Sequence, residues 1–172
     1  MTTYMTTQLQ EQDETNLARQ AVKDVDAFAE LYRRNLTRVY RYHIAHVGNT
    51  KDAEDLTSQT FMAAMQGIHT FRGTGSFAAW ILGIASKKRL MFFRARKPEV
   101  PLDAVVHTPC PDLPTDKAAN QRLQLESISH ALRQISTDRA EALTLIYFGG
   151  LSNAEASRVL NKSEAAVKML IS

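Results

Sequence analysis

The densest chemical signal in the chain is a basic segment without a single acid. Residues 69–98 hold Arg72, Lys87, Lys88, Arg89, Arg94, Arg96 and Lys97, and neither Asp nor Glu. A one-sign stripe of this kind neutralises phosphates and releases their counterions, the footprint of a nucleic-acid groove. Phe71, Trp80, Phe92 and Phe93 are interleaved with it, and aromatic rings beside a basic groove can stack unpaired bases. The bland alternative is a solvated basic helix whose aromatics sit in the core. It suits Trp80, four residues before Ile84 at helical spacing, better than it suits the cations.

A second segment, Asp52-Ala-Glu-Asp-Leu-Thr-Ser-Gln-Thr-Phe61, begins acidic. Read alone, Asp52, Glu54 and Asp55 compensate the positive end of a helix dipole. Nothing accompanies them that would make a catalytic site: no second carboxylate pair, ordered nucleophile or phosphate loop. The glycines of Arg72-Gly-Thr-Gly75 follow no strand, so they are not a nucleotide fingerprint. His43 and His46 stand three apart on a helix, but His69, His107 and His130 are scattered and offer no third ligand. The chain is therefore expected to be no enzyme, and to hold no cofactor, metal or small-molecule substrate.

The elements that must position these residues read as helices. Phe28, Leu31, Tyr32, Leu36, Val39, Tyr40 and Ile44 follow 3-and-4 spacing. Gly48-Asn49-Thr50 interrupts, and a second helix carries Leu56, Phe61, Ala64, Met65 and Ile68 inward. A loop over 69–76 precedes a third helix from Phe77, with Trp80, Ile81, Ile84, Ala85 and Met91 inward. Further on, Leu123–Ile135 and Thr137–Phe148 are amphipathic. Ser152 with Glu155 three residues later is a capping box. Asn161-Lys162 makes a tight turn that needs a left-handed residue, and Ser163 caps a last helix with Val167, Leu170 and Ile171. Two short helices across such a turn make a helix-turn-helix candidate.

All five prolines fall between Lys97 and Thr115. Proline removes a helix donor and biases its predecessor away from α, so 98–116 is expected to be a proline-rich linker. The expected fold is all-α. A polar tail spans 1–19, a first helical domain 20–97, and a second 117–172. Leu31 and Ile84 are expected core residues of the first domain, Leu143 and Leu160 of the second, and the two should melt independently. The 172 residues, 44% of them apolar, suffice for two small cores, and the formal charge is +3. The lone cysteine, Cys110, cannot form an internal disulfide, which favours the cytoplasm. No apolar run approaches the roughly 18 residues of a membrane span, so no membrane insertion is expected.

These motifs carry a resemblance. Phe28-x-x-Leu31-Tyr32, Asp52-Ala-Glu-Asp-Leu56 with Phe61, Phe77-x-x-Trp80-Ile-x-x-Ile84-Ala85 and the basic tail resemble region 2 of sigma-70 family factors. Leu143-x-x-Ile-Tyr147-Phe148-x-Gly150-Leu151-Ser152-x-x-Glu155-Ala156, then Val159-Leu160 and Ala166-Val167-Lys168, resemble region 4. The short layout is similar to the extracytoplasmic-function (ECF) group, alternative sigma factors that initiate transcription.

The resemblance implies partners and roles. Core RNA polymerase would be bound by Asp52, Glu54, Asp55, Leu56, Gln59 and Phe61. The −10 element of promoter DNA would be melted and held by Phe71, Arg72, Thr74 and Trp80, with Lys87, Lys88, Arg89, Arg94, Arg96 and Lys97. The −35 element would be read by Ser152, Lys162, Ser163, Glu164, Ala165, Lys168 and Ser172. The linker would thread the polymerase toward its RNA exit path, and an anti-sigma factor would hold the free protein. A stand-alone helix-turn-helix regulator, or a helical partner protein derived from a sigma factor, are the alternatives. The sequence departs from the family pattern in three places. Lys87 and Met91 stand where the family often has Asn and Asp. Asn161-Lys162 replaces a Gly-aliphatic turn pair. The arginine-rich turn that usually follows the position of Ser172 is absent, leaving Lys168 the one basic residue of the last helix; either the second domain is truncated or its DNA reading is weak.

Overall fold

The computed structural model describes residues 2–96 and 116–172, with side chains described over 10–96 and 117–172. The described residues form helices and no strand. The chain is all-α, as expected. In order the helices are α1 (Thr2–Ala21), α2 (Val25–Val47), α3 (Thr50–Gly67), α4 (Phe77–Ala95), α5 (Asp116–Arg133), α6 (Thr137–Leu143), α7 (Asn153–Leu160) and α8 (Glu164–Ile171).

Local chemistry sets their ends. Asp24, Asn49, Ser76, Ser136 and Ser163 each accept a hydrogen bond from a first-turn amide of the helix they precede, satisfying donors that have no intrahelical partner. The Ser152–Glu155 capping box is complete. Asn161 adopts φ 53°, ψ 46°, the left-handed turn expected there. Helix α2 stops at Gly48 with φ 74°. A Cβ there would lie 2.8 Å from Ser129 Cβ, so glycine also lets α5 cross α2 closely.

Two expectations are corrected. Residues 2–21 are helical where a polar tail was expected, and α1 packs on α2 and α4. Its buried face is made of small residues, Ala18 and Ala21, too narrow a stripe to stand out. Polar contacts fasten the rest: Arg34 donates to Asp13 at 2.7 Å and Asn35 to Glu14 at 3.2 Å. Nor do the two halves have separate cores. Leu31, Tyr42, Phe77, Ile81 and Leu82 share one buried cluster with Leu145, Leu151, Ala156 and Val167. Gly149 shows how tight this joint is: a Cβ there would fall 2.7 Å from Leu82 Cδ1 and 2.6 Å from the Leu145 carbonyl oxygen. The proline-rich linker lies outside the described residues, apart from Asp116, which opens α5.

Helix α6 runs on into a π turn over Thr144–Phe148, closed by the Gly149 amide donating to the Thr144 carbonyl at 2.9 Å. Leu145 is fully buried, whereas Leu143 is half-buried, as are Ile84 and Leu160. Of the four expected core residues, Leu31 is fully enclosed. No helix among the described residues is long and apolar enough to cross a membrane.

Candidate nucleic-acid interface

A 3₁₀ turn (Ile68–Thr70) and the loop that follows carry Phe71, Arg72 and Thr74 to the start of α4. Phe77 is buried and anchors an aromatic cluster, with centroids 5.7 Å from Phe71 and 5.5 Å from Trp80. Phe71 and Trp80 are half-buried, 5.5 Å apart. They line a groove of about 650 Å³ together with Arg72, Thr74 and Lys87. Such a groove can hold a base pulled out of its stack, between rings and under a cation. Arg158 and Val159 of α7 close one side of it, a contribution from the other half that helical periodicity could not reveal.

The basic stripe is narrower than its sequence suggests. At 100° per residue, Lys87, Lys88 and Arg89 diverge around the helix. Arg89 is buried against Glu141 (2.8 Å) and is no phosphate ligand in this form. Arg96 grips Asp52 through both terminal nitrogens, at 2.9 and 3.1 Å, and lies 4.3 Å over the Phe92 ring. Lys97 lies outside the described residues. Lys87, Lys88 and Arg94 remain without an ion pair among the described residues. Lys87 and Arg94, seven residues and about 10.5 Å apart, continue the face that begins at Trp80.

The acidic helix α3 divides similarly. Leu56 and Phe61 are core residues, and the Asp52 side chain is only 13% exposed beneath Arg96. What faces solvent is Glu54, Asp55 and Gln59, extended by Met62 (63% exposed) and Met65 (52%). Met65 had been expected inward, and Met62 carried no signal in the sequence. Exposed methionines beside carboxylates make an adaptable apolar contact surface with a charged rim.

In the helix-turn-helix, Ser152 and Ser163 are spent on capping α7 and α8. Glu164, Ala165, Lys168 and Ser172 share the exposed face of α8 with Met169. Lys162 pairs with Asp138 at 2.9 Å and Lys168 with Glu164 at 3.4 Å. Both pairs are solvent-exposed and therefore weak.

Between the halves lies a buried polar cluster. Tyr42 donates to Glu141 Oε1 at 2.6 Å, and Arg89 Nε donates to the Tyr42 hydroxyl at 3.1 Å. His46 Nε2 meets Thr144 Oγ1 at 2.8 Å, and Ser129 donates to the His46 carbonyl at 2.9 Å. Arg89 Nη2 is close to Glu141 Oε2 yet poorly aligned as a donor, so this contact is an ion pair rather than a hydrogen bond. Burial, then the Arg89 charge, holds His46 well below the usual imidazole range, and the same causes push His43 down to about 3. Both imidazoles are thus neutral when folded, while the unfolded chain protonates them near 6.5. Below that pH the unfolded state binds more protons, so stability falls with falling pH. Each histidine contributes a slope approaching about 1.4 kcal/mol per pH unit until its folded pKa is reached. Urea unfolding between pH 7 and 5 is expected to show this loss, and His46→Gln to reduce the slope. An unchanged slope in His46→Gln would show that this imidazole is not kept neutral by the fold.

The comparisons with known proteins agree with this arrangement. The family model described as Sigma-70 region 2 matches residues 31–99, and that described as Sigma-70, region 4 matches residues 125–172. The chain is 33% identical over 150 residues to the ECF RNA polymerase sigma factor BldN of Streptomyces coelicolor, covering 86% of this chain and 57% of that protein. It therefore spans little more than half of that relative's length. It is 28% identical to the ECF RNA polymerase sigma factor SigM of Bacillus subtilis, covering 83% of this chain and 86% of that one. Its fold is that of CnrH, solved in complex with the cytosolic domain of CnrY, with a TM-score of 0.73 at 24% identity over 92% of this chain and 89% of that one. The sigma factor RpoE, solved with the anti-sigma factor NepR from Bartonella quintana, shares it at a TM-score of 0.61 and 21% identity over 84% of this chain and 89% of that one. With both regions matched in order on one shared fold, the chain belongs to the sigma-70 family.

Proposed function

We propose that the protein is an ECF-type initiation factor that joins core RNA polymerase and directs it to promoters. It is not an enzyme in this reading: binding energy, not covalent chemistry, opens the DNA. The observation that carries the proposal is the aromatic groove of Phe71 and Trp80 flanked by Arg72, Thr74 and Lys87. Aromatic walls and a cation together at a helix start suit an extruded base. Glu54, Asp55 and Gln59, with Met62 and Met65, form the polymerase-facing surface. Lys87, Lys88 and Arg94 contact phosphates near the −10 element. The exposed face of α8, with Lys162 at its turn, reads the −35 element. Two lysines already near carboxylates are a poor grip for a stand-alone helix-turn-helix regulator, which favours the two-site reading. Relatives in this fold have been solved with CnrY and with the anti-sigma factor NepR, and a protein inhibitor of that kind is the proposed further partner.

The test is runoff transcription with purified core polymerase on a promoter selected from a random library, followed by holoenzyme binding to its forked form at several salt concentrations. Transcription is expected to depend on the protein. Lys87→Ala and Arg94→Ala should each flatten the log–log salt slope by about 0.9 per lost phosphate contact. Changes at Phe71 or Thr74 should alter −10 base preference and leave the slope alone. Absence of factor-dependent transcription would end this reading, and unchanged slopes would remove α4 from the phosphate contacts.

A further inference from the structure

We propose that helix α1 is part of the −10 reader, with Thr15 a positioning residue that sets the shape of the base-holding loop and, through it, the choice of base. The inference rests on the functional reading above and concerns what holds that site in shape.

The matched family segments, 31–99 and 125–172, leave all of α1 outside. None of the proposed DNA or polymerase contacts falls on it, yet it is firmly seated. Ala18 is 1% exposed, and Leu17 packs against the same core cluster. One turn earlier, Arg34 and Asn35 of α2 hold Asp13 and Glu14. This seat fixes where Thr15 faces. It stands three residues before Ala18, beside the buried stripe. Its hydroxyl donates to the Glu11 carbonyl at 2.9 Å, which selects between the two rotamers open to a helical threonine. The methyl group is left against Gly73 of the 71–76 loop, where a Cβ would lie 2.9 Å from Thr15 Cγ2.

Gly73 is where the shape of the loop is decided. Its φ is 73°, a conformation that glycine adopts without steric cost. It separates Arg72 from Thr74, the two loop residues that line the groove with Phe71 and Trp80. The ends of the loop are bonded. The Phe71 amide donates to the Ile68 carbonyl at 3.1 Å, and Ser76 caps α4 and donates to Glu155. Between them, among the described residues, no amide of residues 72–75 has a backbone acceptor. A glycine without such bonds keeps one conformation only if something packs on it, since its backbone has the most freedom to lose. Arg158 of α7 reaches the Thr74 carbonyl at 3.5 Å, and the Thr15 methyl supplies the support at Gly73. Thr15 carries no charge and neutralises no phosphate. What it governs is how Arg72 and Thr74 surround a base, which is base choice rather than general affinity.

The experiment measures holoenzyme binding to forked promoters carrying each base at each −10 position, at several salt concentrations. Thr15→Ser keeps the hydroxyl and removes the methyl. It should reduce discrimination against disfavoured bases by about fourfold, the contribution of one buried methyl group, with the salt slope and core-polymerase affinity of wild type. Thr15→Val keeps the methyl and removes the hydroxyl, and should discriminate as wild type does. A Thr15→Ser protein with wild-type preference overturns the proposal, and so does a Thr15→Val protein that has lost it. A second measurement needs no DNA. Gly73→Ala should lower the urea midpoint more in wild type than in Thr15→Ser, because part of its cost is the clash with the methyl. Equal losses would show that the two residues do not pack together and would overturn the proposal as well. If wild-type holoenzyme shows no base preference, the functional reading fails instead, and the urea comparison still judges the contact.

Discussion

Replacing Leu31 by alanine is expected to lower the melting of the whole chain, not of its first half alone. Leu31 is fully buried on α2, and such a truncation costs about 2–5 kcal/mol in lost transfer energy and residual cavity. For a chain of this size that corresponds to roughly 4–20 °C. Because Tyr42, Phe77 and Leu82 share a cluster with Leu145, Leu151 and Val167, α5–α8 lose support when α2 does. Trp80 fluorescence and far-ultraviolet circular dichroism should therefore trace one coincident transition in wild type and variant alike. If part of the helical signal kept the wild-type midpoint in Leu31→Ala, the shared core would be refuted.

Asp55→Arg is expected to abolish co-purification with core RNA polymerase while leaving helical content untouched. Asp55 is exposed and has no ion pair among the described residues, so the fold has little to lose. It sits beside Gln59 and Met62 on one face of α3, and reversing a charge inside a desolvated contact costs about 2–5 kcal/mol or more. That is roughly a 30-fold to several-thousand-fold loss of affinity. Asp52→Ala serves as a contrast. It releases Arg96 but leaves the outer face of α3 unchanged, and should affect polymerase binding far less. Unimpaired binding by Asp55→Arg would place the polymerase contact elsewhere.

What could be read from the sequence was what neighbours dictate. Ser152 with Glu155, Asn161 and Gly48 fix their turns through bonds reaching at most a few residues, and the structure keeps each of them. The aromatic loop was legible for the same reason, since Phe71, Phe77 and Trp80 meet within one helical approach. The partners of charged side chains were not. Arg89 stands in a run of cations and looks like a phosphate ligand, yet its counter-charge comes from Glu141, 52 positions further along, and Tyr42 bonds that carboxylate from 99 positions away. Periodicity assigns a face to each residue of a helix but does not say what covers that face. It also does not rank positions along one face: Leu145 is fully buried, whereas Leu143 is half-buried.

The π turn over Thr144–Phe148 also bears on how chain length can vary within this family. A π turn is an α turn carrying one residue more. Deleting Ile146 would let the segment close as an ordinary α turn, keeping Thr144 on His46 and Leu145 in the core upstream of the cut. Tyr147, 63% exposed, has no packing to forfeit when it shifts around the axis. Deleting Asn153 or Ala154 would instead break the spacing between Ser152 and Glu155 and with it both helix caps that Glu155 joins. In an alignment of relatives, single-residue gaps should therefore gather at 144–148 and avoid 152–155.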